Sequence, residues 1–135
     1  MEKWLQQVPS IDLRTLSPLA LAYVGDAVFE LYVRMQLVAA GGRVQTLHKS
    51  VVEYVRADAQ SEILSQWQPL LTEEEAAVVR RGRNAKSTVP RSTDMVSYRQ
   101  STGFEALIGY LFLAGQEERL LYLLGQVKPT KKGDV

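Results

Sequence analysis

Apolar residues along this chain recur at intervals of three and four, and no long alternating run breaks the pattern, which is the period of helices rather than strands. The fold class expected is all-α. The first helix starts at Ser17 as N-cap with Pro18 at its first position and runs to "AAGG", where Gly41 can take the left-handed conformation that ends a helix. A second spans about Thr46 to Trp67, with Leu47, Val51, Tyr54, Val55, Ile63, Leu64 and Trp67 assigned to one side. The third opens at Thr72, where "TEEE" reads as a capping box, and continues through Val78 and Val79 into a run of arginines. Another helix begins between Asp94 and Thr102 and ends near Gly115, and the last is "EERLLYLLGQV".

The first helix is apolar around nearly its whole circumference, from Leu19 to Met35, as expected of a helix surrounded by others. Asp26, Glu30 and Arg34 interrupt it at spacings of four and so form one polar stripe. Glu30 and Arg34 make a favourable pair, whereas Asp26 and Glu30 repel across one turn. Asp26 thus has no local partner, and its mid-helix position excludes a capping role. Gly25 beside it costs roughly 1 kcal/mol against alanine, a cost commonly offset where something approaches the backbone closely. Two readings stand: Asp26 faces solvent or pairs with an arginine of another helix, or it is a metal ligand, since a carboxylate in apolar surroundings needs a cation.

Composition narrows the chemistry. The chain has 135 residues, 46% of them hydrophobic, which fits one soluble domain with a real core. Residues 1–128 are expected to form that domain and 129–135, "PTKKGDV", a basic flexible tail. No apolar run approaches membrane-spanning length and the start lacks a signal-peptide core, so no membrane association and a cytoplasmic location are expected. There is no cysteine and one histidine, His48, which removes thiolate chemistry and multi-histidine zinc sites. The net charge of +1 announces no polyanionic partner, but Arg80, Arg81, Arg83, Lys86, Arg91 and Arg99 face one acid, Asp94, within a single segment.

The second oddity mirrors the first. "STGFEALIGYLFLAG" is apolar from Phe104 onward except for Glu105. Thr102 and Glu105 match the spacing of a capping box, which is the bland reading. If the two apolar helices pack side by side, both carboxylates could instead converge on one cation.

These segments carry a family resemblance. "LAYVGDAVFELYVR" is similar to the ribonuclease III signature, "FEALIGYLFL" resembles that family's second acidic helix, and "LHKS" with "RRGRNAKS" resembles the Mini-ribonuclease III branch. The resemblance implies an all-helical endonuclease domain, a homodimer, Mg²⁺ dependence and double-stranded RNA as substrate, with precursor large-subunit ribosomal RNA the target of the branch. Asp26 falls on the signature aspartate and Glu105 on the second-helix glutamate, so the resemblance makes these the catalytic and metal-binding pair. Ala22 and Thr102 stand where fuller enzymes carry further acids, which leaves the number of ions open. Glu30 is expected to pair with Arg34 rather than act through water, and His48 to contact backbone or solvent rather than serve as a base.

The resemblance includes no double-stranded-RNA-binding domain, so the catalytic domain is expected to grip RNA itself. Arg80, Arg81, Arg83 and Lys86 are the candidate phosphate contacts, with Asn84 reaching a groove edge or 2′-OH. Lys49 is a further candidate or an ordinary surface lysine. The bland alternative is a solvated helix end whose arginines complement the carboxyl-terminal dipole. Three functions remain open at this point: a double-strand-specific endoribonuclease, a catalytically silent RNA-binding module associated with ribosomes, and a helical interaction protein.

Overall fold

The computed structural model describes residues 11–85, 88–89 and 94–127, and its regular elements are helical throughout. They are α1 (Pro18–Ala39), α2 (Val44–Val55), α3 (Ala57–Trp67), a 3-10 turn (Gln68–Leu70), α4 (Glu73–Arg83), α5 (Met95–Leu113) and α6 (Glu117–Leu124). The tail expected at 129–135 lies outside the described residues.

Helix α5 is the axis of the molecule, with α1, α3, α4 and α6 packed around it. Its middle explains why: Ser101 to Phe104 and Ala106 to Gly109 are all buried. Phe104 anchors the core, edge-on to Phe29 of α1 with ring centroids 5.0 Å apart and 4.9 Å from Trp67 of α3. Such aromatic pairs add to the burial of three large side chains and fix how their helices are rotated.

The helix ends follow their sequence signals. Ser17 accepts the N–H of Ala20, and Gly41 adopts φ +91° past the end of α1. At α4 the capping box is complete, with Thr72 N–H donating to Glu75 Oε1 at 2.9 Å and Glu75 N–H to Thr72 Oγ1 at 3.1 Å. The same buried Glu75 receives two hydrogen bonds of 2.8 Å from Arg119 of α6. That guanidinium holds the Glu75 carboxyl below the usual carboxylate range, so one acid both starts α4 and fastens α6.

Two expectations are corrected. The single helix expected over Thr46 to Trp67 is two, broken at Arg56, whose ψ of 150° is extended. At 3.6 residues per turn an unbroken helix would place Val51, Tyr54 and Val55 on roughly the opposite side from Ile63, Leu64 and Trp67; the break lets both groups face inward. Asp58, one residue into α3, bonds the N–H of Ala59 and pairs with Arg56 at 3.3 Å, which fits a new amino terminus. Helix α1, in turn, is not enclosed by other helices. Only Leu21, Ala22, Gly25, Phe29 and Val33 are buried, while Tyr23 is 83% exposed, Leu31 51%, Met35 57% and Val38 63%.

Candidate active site

Helices α1 and α5 meet backbone to backbone. A methyl built on Gly25 would stand 1.8 Å from the Glu105 carbonyl oxygen, and one on Gly109 would stand 1.9 Å from that of Leu21. No side chain fits at either position, so the glycine that looked costly in α1 is required by the crossing. Because the contact joins the residue before Asp26 to Glu105 itself, it brings the two acids together.

Asp26 is exposed and Glu105 half-buried. The Glu105 carboxyl is pushed up to about 8, first by burial, then by the negative charge of Asp26 and the hydrogen bond they share, with the Gln60 side chain pulling the other way. A carboxylate pair without a neighbouring cation resists double ionisation. Glu105 therefore holds its proton more tightly than an ordinary glutamate.

Among the described residues no group of three or more His, Cys, Asp and Glu comes together to hold a metal ion. The donor set is two carboxylates. That suffices for a hard divalent cation such as Mg²⁺, which is commonly held by one or two carboxylates with water filling its shell. Ala22 and Thr102 are both buried, and the Thr102 hydroxyl donates to the Tyr98 carbonyl at 3.1 Å.

The capping-box reading of Thr102 and Glu105 is overturned. Helix α5 begins earlier, with Asp94 as N-cap accepting the N–H of Ser97 at 2.8 Å, so Glu105 lies in mid-helix with no cap to close. Glu30 pairs with Arg34, as expected of the polar stripe. His48 and Lys49 are exposed on α2.

The family model described as the Ribonuclease III domain matches residues 19–116 of this chain. The chain belongs to the ribonuclease III family. It is 55% identical over 112 residues to "Mini-ribonuclease 3" of Symbiobacterium thermophilum, covering 82% of this chain and 86% of that one. To the Mini-ribonuclease 3 of a Thermoanaerobacter strain it is 53% identical, covering 82% and 79%. A crystal structure of a protein from Fusobacterium nucleatum superposes with a TM-score of 0.80 at 35% identity, covering 86% of this chain and 96% of that one. The chain thus sits in the Mini-ribonuclease 3 branch, and with it comes the activity class, an endoribonuclease.

Within this ribonuclease III frame the basic segment is the carboxyl-terminal turn of α4. Gly82 is buried there because a methyl on it would come within 2.9 Å of Gly103 and 3.0 Å of Ala106, so this turn lies against α5 beside the residues that precede and follow Glu105. Arg80 and Arg81 are exposed, Arg83 is half-buried, and Asn84 is the exposed C-cap. The arginines diverge: Arg80 and Arg83 line a hollow with Gln68 and Leu71, while the Arg81 charge acts on Tyr110. No ion pair of these three arginines occurs among the described residues. Lys86 lies outside the described residues.

One residue beside the acids escaped the sequence reading. Gln60 of α3 is 1% exposed, and its side chain reaches Glu105, although its Nε2 completes no hydrogen bond of good geometry among the described residues. The signal was present, since Gln60 shares a stripe with Ile63, Leu64 and Trp67 at the i, i+3, i+4, i+7 spacing of a buried face.

Proposed function

We propose that this endoribonuclease is Mg²⁺-dependent, cuts double-stranded RNA and matures precursor large-subunit ribosomal RNA in the cytoplasm as a homodimer. The observation that carries the reading is the meeting of Asp26 and Glu105 across the Gly25 contact, with no cationic side chain among the causes acting on Glu105. Asp26 and Glu105 would hold the ion. A divalent cation bound there supplies Lewis acidity, acidifying water and stabilising negative charge that develops on phosphate oxygens. The chain itself provides the two carboxylates and the aromatic floor that fixes their helices, and the chemistry requires no side-chain nucleophile.

Substrate binding falls to Arg80, Arg81, Arg83 and Asn84, with Lys86 continuing the segment. The arginine charges of this turn, which lies against α5, suit phosphates flanking the acids, and such contacts make affinity strongly dependent on salt. The exposed stripe of Tyr23, Ala27, Leu31 and Met35 on α1 is the apolar surface a second copy would cover. A two-fold axis through it would pair two sites, one for each strand of a duplex.

The test is incubation of the purified protein with a long RNA duplex in Mg²⁺ or in EDTA, beside Asp26→Asn. Cleavage is expected only in wild type with Mg²⁺, with a loss of at least about 100-fold in the variant. Cleavage that survives EDTA or the substitution sinks the metal mechanism, and salt-sensitive binding without cleavage points to a silent RNA-binding module.

A further inference from the structure

A buried amide donor that completes no hydrogen bond of good geometry costs on the order of 1–3 kcal/mol. Gln60 Nε2 is such a donor, enclosed in α3 on the face that packs against α5. Its side chain acts on one acid of the site, Glu105, yet the amide N–H completes no hydrogen bond of good geometry there. Fold stability alone would favour leucine or methionine at this position, because neighbours Ile63, Leu64 and Trp67 form an apolar stripe. The glutamine therefore stands there at a cost, and the acid beside it is the group that could use its proton.

We infer that Gln60 is a positioning residue, whose buried Nε2–H donates to the Glu105 carboxylate and holds it turned towards Asp26. The inference rests on reading Asp26 and Glu105 as a cation site. An outer hydrogen bond of this kind orients the ligand carboxylate and is typically worth about 10- to 100-fold in metal affinity or activity. The anchor is rigid, because Trp67, two turns further along α3, is locked against Phe104, the residue preceding Glu105.

The experiment compares wild type, Gln60→Leu and Gln60→Met, the second keeping the length of the side chain without its donor. Mn²⁺ binding is titrated by the electron paramagnetic resonance signal of the free ion, duplex cleavage is resolved into kcat and KM, and melting temperature is recorded in EDTA. Both variants are expected to bind Mn²⁺ about 10-fold or more weakly and to lose kcat with KM for the duplex nearly unchanged, while melting at or above the wild-type temperature. Wild-type Mn²⁺ affinity in either variant overturns the positioning role, and a lowered melting temperature with unchanged affinity makes Gln60 a purely structural residue. If wild type itself binds no Mn²⁺, the cation-site reading falls and this inference falls with it.

Discussion

Glu105 is a carboxyl held at about 8 against an ordinary 4.5 by burial and by Asp26. Without metal the folded state keeps a proton in this window that the unfolded chain has released. Stability must then fall as pH rises from about 4.5 to about 8, by up to about 1.4 kcal/mol per unit. Thermal melts in EDTA across that range are expected to show the decline, and Glu105→Gln is expected to flatten it and to melt higher than wild type above pH 8. An equal slope in both proteins would place the titrating group elsewhere. Residue by residue, legibility followed local conflict: Asp26 and Glu105 were visible because a charge stood in an apolar run, and their meeting was conditional on two helices packing together. Gln60 presented the same conflict more faintly, since an uncharged amide on an amphipathic helix looks like part of its polar face until the phase of the helix is known.

Phase was what the sequence withheld about whole elements. Val51 and Trp67 look like one stripe in a list, yet their angles disagree, and only the extended Arg56 reconciles them. Thr102 and Glu105 had the spacing of a cap but not its position, because the stronger signal, Asp94, lies upstream. The capping box at Thr72 was readable since it is wholly local, whereas the reach of Arg119 from α6 to Glu75 spans 44 residues and has no local mark. The crossing of α1 and α5 gives a sharp test. Gly25→Ala improves helix propensity but forces a methyl into the Glu105 carbonyl, so it is expected to destabilise by about 3 kcal/mol or more, at the upper end of overpacking costs. Denaturant unfolding measures this, and a neutral or stabilised variant would mean that the helices separate easily and that the acids are not held by this contact.

For the molecule as a whole, the unfinished surface is α1. Helices that bury their apolar faces within the chain account for the core around Phe104, but Tyr23, Leu31, Met35 and Val38 are left in solvent. Sequence patterning identified these residues as apolar and assigned them neighbours in the same chain; a single sequence does not distinguish an intramolecular neighbour from a second copy. If the proposed homodimer forms through this stripe, the paired substitutions Leu31→Glu and Met35→Glu are expected to lower the mass read by light scattering to that of a monomer and to reduce duplex cleavage at least about 10-fold at fixed protein concentration, with helicity retained. An unchanged mass would remove this stripe as the dimer interface.

Where two helices touch through side chains, every change of core volume also changes their separation, and an active site straddling them drifts with it. Here main chain rests on main chain at Gly25 and Gly109, so the gap between the acids works as a mechanical stop. Changes in the size of core residues such as Leu107 and Ile108, both fully buried, then cost stability while the spacing of Asp26 and Glu105 stays set by the stop.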